Sequence, residues 1–178
     1  MSERQVTAVT TSFPGSDADE GDEVSDAIDP AIRPAERADL LAVVRIEDES
    51  FSQPWPYDAF ERFLGEPGFL VATASDANAS IVGYIIADTS MTYGRTLGHI
   101  KDIAVHPDRR GDGVGSALLR RSIAVLAARG SDTIKLEVRR SNDGAKRLYR
   151  SFGFEPLRRV PGYYEDGEDA IIMIRKLE

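Results

Sequence analysis

The sequence predicts one α/β domain built on a single mixed sheet, preceded by a disordered tail. Three observations carry this. Short apolar runs of β-type composition recur from Ala31 to Leu177. The run His99 to Val105, the helical pattern Val114 to Arg129 and the run Thr133 to Arg139 make a strand, crossover helix and strand in succession. The first 30 residues are polar and acidic, and Ser16-Asp17-Ala18-Asp19-Glu20-Gly21-Asp22-Glu23 cannot contribute to a core. The expected boundaries are 1–30 for the tail and 31–178 for the domain.

Composition narrows the class. The chain has 178 residues, 42% of them hydrophobic, enough for one well-buried domain. Its net charge is −8, from 30 acidic and 22 basic residues, and only four of the basic ones are Lys. That balance fits either a high-salt cytoplasm or an ordinary acidic protein from a GC-rich genome. No basic stripe points to nucleic acid. With no Cys, disulfides, thiolate zinc sites and a cysteine nucleophile are excluded. Two His are too few for an all-protein catalytic zinc, so no metal is expected. No apolar run reaches the ~20 residues that span a bilayer, and the N-terminus lacks the charged-then-apolar pattern of a signal peptide. The expected location is the cytoplasm, without membrane contact.

Each element follows from its pattern. Ala31-Ile32-Arg33 reads as a short strand stopped by Pro34. Leu40, Leu41, Val43, Val44 and Ile46 mark a helix from about Arg37 to Glu49. Phe51-Ser52-Gln53-Pro54-Trp55-Pro56 breaks it, and Pro56 begins a second helix with Tyr57, Phe60, Phe63 and Leu64 on its apolar side. Phe69–Thr73 and Ile81–Ala87 read as an antiparallel pair across the polar turn Ser75–Ser80. Gly98–Val105 is a third strand. Strict alternation puts Ile100, Asp102 and Ala104 on one face, and His99, Lys101, Ile103 and Val105 on the other. His99 and His106 read as structural or solvated. Leu118, Leu119, Ile123, Val125 and Leu126 stripe the long helix that Arg129-Gly130 ends. Thr133–Arg139 is a strand, Asn142 caps a short helix containing Ala145, Leu148 and Tyr149, and strands at Glu155–Val160 and Ala170–Leu177 close the chain.

The strand-to-helix connection Arg110-Gly111-Asp112-Gly113-Val114-Gly115-Ser116 is the densest signal. Alternate glycines let backbone N–H groups approach a ligand, and the helix behind them begins with unpaired N–H groups and a positive dipole end. Together these make an anion site suited to a phosphate or pyrophosphate. A nucleotide-triphosphate loop needs Gly-Lys-Ser/Thr, and the Lys is missing. A dinucleotide loop needs G-x-G-x-x-G/A, and the spacing misses by one. R-x-x-G-x-G remains, with Arg110 assisting and Asp112 offering only its N–H. Arg109 reads as surface charge.

With the downstream run Leu136-Glu137-Val138-Arg139-Arg140-Ser141-Asn142, then Ala145, Leu148-Tyr149 and Phe152-Gly153-Phe154, this loop resembles the GNAT N-acetyltransferase superfamily in its RimI-type, N-terminal-acetylating form. Ser50-Phe51-Ser52-Gln53-Pro54-Trp55, Tyr163-Tyr164 and Asp169-Ala170-Ile171-Ile172-Met173 extend the resemblance over residues 32–178. It implies a mixed, largely antiparallel central sheet flanked by about four helices, with acetyl-CoA as the acetyl donor. It further implies pantetheine along the backbone of Ile103, Ala104 and Val105, pyrophosphate on Gly111, Asp112, Gly113, Val114, Gly115 and Ser116 with Arg110, and an additional contact from Asn142. Glu137 is then the general base and Tyr149 the general acid, whose phenol, with a reference pKa near ~10, stays protonated at neutral pH. Without Cys, direct attack in a ternary complex is the simplest mechanism.

The acceptor implied is a protein N-terminus, of a ribosomal protein or of nascent chains. A free α-amine, pKa about 7.7–8.0, is far more often neutral at pH 7 than a Lys at about 10.4. Phe51, Pro54, Trp55, Tyr163 and Tyr164 could wall a narrow mouth for a chain end; Trp55 could equally be core packing for the first two helices. A lysine or small-molecule amine, and a non-catalytic CoA-binding module, are the competing readings.

Overall fold

The computed structural model describes residues 30–178, and the tail expected at 1–30 lies outside these but for Pro30. Seven strands form one sheet in the order β1-β2-β3-β4-β5-β7-β6. They are β1 (Ala31–Pro34), β2 (Phe69–Thr73), β3 (Ile81–Thr92), β4 (Arg95–Val105), β5 (Thr133–Arg139), β6 (Glu155–Val160) and β7 (Ala170–Lys176). Every neighbouring pair is antiparallel except β4 and β5. That one parallel pair follows from the crossover helix between its strands. The helices are α1 (Leu40–Ser50), α2 (Tyr57–Glu61), α3 (Val114–Ala128) and α4 (Asp143–Ser151).

Two apolar clusters sandwich the sheet. On one face Leu40, Val43 and Ile46 of α1 and Phe60 of α2 pack with Val71, Tyr84, Ile86 and Ala104. Phe60 meets Tyr84 edge-on, with centroids 5.5 Å apart, a geometry worth about 1 kcal/mol beyond its area. On the other face Leu118, Leu119 and Leu126 of α3 and Ala145, Leu148 and Tyr149 of α4 pack with Ile85, Ile103, Leu136 and Val138. Among the described residues no helix is long and apolar enough to cross a membrane.

Local chemistry explains the departures from the sequence expectation. The first helix opens as a 3-10 turn, Arg37–Asp39, before α1. Asp39 accepts from the Glu36 N–H at 2.8 Å and from both terminal nitrogens of Arg33 at 2.7 and 2.8 Å, which locks the strand to the helix. The β3–β4 hairpin runs beyond Ala87 and Gly98 to a tight turn at Tyr93-Gly94, whose φ values are +50° and +75°. Its outer part, Asp88 to Thr92, is polar and progressively exposed, so it lacks the apolar pattern by which strands are read.

One irregularity in β4 sets which way its side chains face. On β3 the step from Ile86 to Ala87 is matched on β4 by the step from Asp102 to Ile100, so Lys101 is an extra residue, a β-bulge. The expected alternation therefore fails at Lys101. Ile100 shares the α3 face with Ile103 and Val105. His99 and Asp102, opposite Asp88 and Ile86, share the α1 face with Ala104, opposite Tyr84.

Candidate active site

Strands β4 and β5 are in register only from Leu97↔Thr133 to Ile100↔Leu136. Beyond that point β4 continues five residues to Val105 and β5 three to Arg139, so a gap opens between them. The His106 N–H donates to the Val82 carbonyl at 2.8 Å. By alternation, the main-chain groups of Ala104 and Asp102 then face β3, whereas those of Ile103 and Val105 face the gap. A ligand with amide groups could pair with the Ile103 groups and the Val105 N–H on that edge, the Val105 carbonyl already accepting from Arg110.

The gap ends at the glycine loop. Gly111 and Gly113 adopt φ of +88° and +81°, conformations that an L side chain rarely takes. A Cβ built on Gly113 would meet no atom within 4 Å, so the space beside it is open. No side chain caps α3, and its first intrahelical bond is Ala117 N–H to Gly113 O. The N–H groups of Val114, Gly115 and Ser116 thus lack helical acceptors. Asp112 is exposed and turns toward Arg109, 3.8 Å away. Arg110 turns inward, donating through Nε to the Val105 carbonyl and through a terminal nitrogen to Ser50 Oγ, both at 3.2 Å. Burial lowers its pKa, and among the described residues no carboxylate lies within ion-pair distance of it. Free N–H groups, a helix dipole and an uncompensated cation suit a pyrophosphate.

Glu137 lies one residue past the last β4–β5 partner, on the same sheet face as His99. Its carboxylate is buried, with Oε2 2.6 Å from His99 Nε2 and Oε1 3.4 Å from Lys135 Nζ. Burial pushes the carboxyl upward, but the hydrogen bond and charge of His99, with Lys135, outweigh it and hold it below the usual glutamate range. Glu137 is therefore ionised at neutral pH. His99, read from sequence as structural or solvated, is its direct partner. The signal was hidden because the bulge decides which face His99 occupies.

Tyr149 is fully buried on the opposite face, in the cluster containing Leu136 and Val138, with its ring edge-on to Phe154 at 6.0 Å. Glu137 and Tyr149 thus lie on opposite faces of the sheet. Asn142 caps α4, accepting from the Ala145 N–H at 3.0 Å, which leaves its amide nitrogen for another acceptor. His106 accepts from the Asp108 N–H at 3.2 Å and orders the turn before the glycine loop.

The aromatic residues divide. Trp55 is 6% exposed, tilted against Phe60 and stacked on Phe63 with centroids 5.5 and 5.8 Å away, so it belongs to the α1–α2 core. Phe51 is half-buried against the same cluster and Pro54 is exposed. Tyr163 is half-buried and edge-on to Tyr164 at 5.1 Å. Tyr164 is buried under the Arg139 guanidinium, 4.1 Å from its ring centroid. Arg139 also bridges Asp166 and Glu168, each at 2.8 Å. The loop between β6 and β7 is thereby tied to the end of β5.

Sequence reading missed a second polar cluster. Glu47 of α1 is 2% exposed and accepts from the Trp55 N–H at 2.8 Å. It also hydrogen-bonds the Tyr84 hydroxyl, which lies 2.9 Å from Asp102 Oδ2. Burial pushes Glu47 up to about 7, and burial with the neighbouring Glu47 charge drives Asp102 well above the usual aspartate range. A Glu inside an otherwise apolar helical stripe was the available signal. Among the described residues no cluster of His, Asp and Glu could hold a metal.

A sequence model of the acetyltransferase (GNAT) family matches residues 40–154. The chain is 40% identical over 148 residues to an uncharacterized N-acetyltransferase of Methanocaldococcus jannaschii, covering 82% of this chain and 90% of that one. It is 33% identical over 157 residues to an N-alpha-acetyltransferase of Sulfolobus acidocaldarius, covering 82% and 92%. The solved ribosomal-protein-S18-alanine N-acetyltransferase of Escherichia coli superposes with a TM-score of 0.70 at 35% identity, covering 83% of this chain and 94% of that one.

Proposed function

This chain belongs to the acetyltransferase (GNAT) family, and on that premise we propose that it acetylates the α-amine of protein N-termini. It is an acetyl-CoA-dependent N-acetyltransferase. One observation carries the proposal: a gap between β4 and β5 with a buried, ionised Glu137 at its mouth on the α1 face and a phenol on the other side.

Acetyl-CoA, when bound, supplies an activated acetyl thioester. In our reading the edge of Ile103 and Val105 holds the pantetheine arm, and Gly111 to Ser116 with Arg110 hold the pyrophosphate. Ala104 serves only as the spacer between two gap-facing residues. Glu137 takes the proton that the amine loses as the new C–N bond forms, and His99 keeps the carboxylate oriented and charged. Tyr149 donates a proton to the departing sulfur. Both side chains act from opposite sides of the thioester, consistent with an acceptor arriving from the α1 face.

The acceptor mouth is formed by Phe51 and Pro54 on one loop and Tyr163 on the other; the buried Trp55 and Tyr164 support the two loops from beneath. An α-amine suits this base better than a lysine, because its pKa lies about 2.5 units lower. The relatives whose names specify N-alpha or ribosomal alanine acetylation favour the same acceptor. A ribosomal protein or nascent chains would be met in the cytoplasm. The deciding assay compares peptides with a free N-terminus against N-blocked peptides containing lysine. Acetylation of the free N-terminus is expected; preference for the blocked peptide overturns the assignment.

A further inference from the structure

The Glu47–Tyr84–Asp102 cluster takes no part in the acetyl transfer itself, yet it joins the two halves of the site. Asp102 sits on β4 immediately before Ile103, the first residue with main-chain groups toward the gap. Glu47 sits on α1 and holds the Trp55 N–H, the only hydrogen bond to a charged side chain given to the Phe51–Pro56 loop among the described residues. Tyr84 bridges the two carboxylates with a single hydroxyl. A phenol has one proton, so two carboxyl groups on the same oxygen need a further proton between them.

A buried pair of carboxyl groups is a costly way to fill a core. Apolar residues already surround it: Leu40, Val43, Phe60, Phe69 and Ile86. A leucine at Glu47 would suit them, but it could not accept from the Trp55 N–H. That N–H sits beside a ring that is 6% exposed and cannot turn to water.

We propose that Glu47 is a positioning residue for the acceptor: through Tyr84 and Asp102 it fixes the Phe51–Pro56 loop at a set height over the gap-facing edge of β4. Donor binding does not depend on it, because the hydrogen bonds of Glu47 go to Trp55, Tyr84 and Asp102 and not to the glycine loop or to the main-chain groups of Ile103 and Val105. Acceptor binding does. This rests on the acceptor mouth proposed for Phe51, Pro54 and Tyr163.

The chain contains one Trp, and it is the residue held, so its fluorescence reports loop position without turnover. Glu47→Ala removes the acceptor for the Trp55 N–H. Glu47→Gln keeps an oxygen there, and its amide can donate to Tyr84, whose hydroxyl then donates to Asp102. Expected for Glu47→Ala are a shifted Trp55 emission, easier acrylamide quenching and an acceptor-peptide KM raised about tenfold, the size of one hydrogen bond. Its acetyl-CoA dissociation constant stays within about twofold of the parent. Glu47→Gln restores emission and acceptor KM. If Glu47→Ala has no cooperative thermal transition, Tyr84→Phe, which cuts the bridge but keeps the ring, carries the same comparison. Unchanged emission and acceptor KM overturn the proposal, as does an equal loss of donor and acceptor affinity. If the parent acetylates no free N-terminus, the functional assignment fails, while the emission and quenching of the variants still decide whether Glu47 holds the loop.

Discussion

His99 Nε2 lies 2.6 Å from Glu137 Oε2 across the last paired rungs of β4 and β5. The two side chains meet where the sheet stops being continuous. The imidazole offsets the burial cost of the carboxylate and engages the oxygen that Lys135 does not, so the Glu137 charge survives in a buried site.

Replacing Glu137 by Gln keeps its shape and removes the proton acceptor. The expected result is a fall in kcat of about 10² to 10⁴, with acetyl-CoA affinity nearly unchanged. Steady-state kinetics with a direct acetyl-CoA binding measurement check it.

His99→Ala leaves Glu137 buried with only Lys135 to oppose the effect of burial. The Glu137 carboxyl should then titrate at a higher pH than in the parent. The acid limb of the kcat/KM profile, which requires Glu137 ionised, moves to higher pH. An unmoved acid limb would show that the limb belongs to another group.

Arg110→Ala removes a cation that bridges the Val105 carbonyl and Ser50 Oγ beside the glycine loop. Acetyl-CoA affinity should fall about tenfold or more, since charge-assisted bonds are worth about 1.5–3 kcal/mol. Gly113→Ala adds a Cβ that touches nothing, so its cost comes from φ +81° alone, about 1 kcal/mol of stability. Calorimetry of titrated acetyl-CoA and thermal unfolding separate the two effects.

Glu47 gives the fold its own pH dependence. Its folded-state pKa, about 7, exceeds the unfolded value near 4.5. Between these the native state binds more protons than the unfolded chain, so stability falls as pH rises through that window. The loss is on the order of 2–3 kcal/mol. Urea unfolding at pH 5 and pH 8 should show it, and Glu47→Gln should reduce it, leaving the share carried by Asp102, which burial also raises.

Arg139→Met retains bulk but frees Asp166, Glu168 and the face of Tyr164. The loop between β6 and β7 should become more protease-sensitive and acceptor KM should rise, with acetyl-CoA affinity unaffected. Limited proteolysis and the KM pair check this.

The strand and helix pattern was legible in the sequence because apolar spacing reports which residues are buried. The glycine loop was legible because few backbones need Gly111 and Gly113 together. Glu137 and Tyr149 were legible only through the motif that flanks them. The Glu137–His99 contact was not legible, because a bulge inserts one residue without any signature in Ile100-Lys101-Asp102. The Glu47 cluster was hidden for another reason: its partners, Tyr84, Asp102 and the Trp55 N–H, come from three distant segments, and periodicity carries no information about such meetings.

Lys101 makes the site sensitive to parity. A point substitution at Glu137, His99 or Glu47 alters one group and leaves the count of residues between Leu97 and Val105 intact. Deleting Lys101 would restore an unbroken ladder with β3 and leave His99 on the α1 side, but pairing Lys101 in that ladder, by a residue inserted on β3 between Ile86 and Ala87, would carry His99 to the α3 side and Gly98 to the α1 side. Glu137 would lose its imidazole, and His99 would take the place that Gly98 holds against Leu126, Ser131 and Ile134. A strand made regular in that second way would thus be a broken enzyme. In related chains that keep this bulge, a residue added on β3 opposite Lys101 should be rarer than changes in the identity of these nine residues.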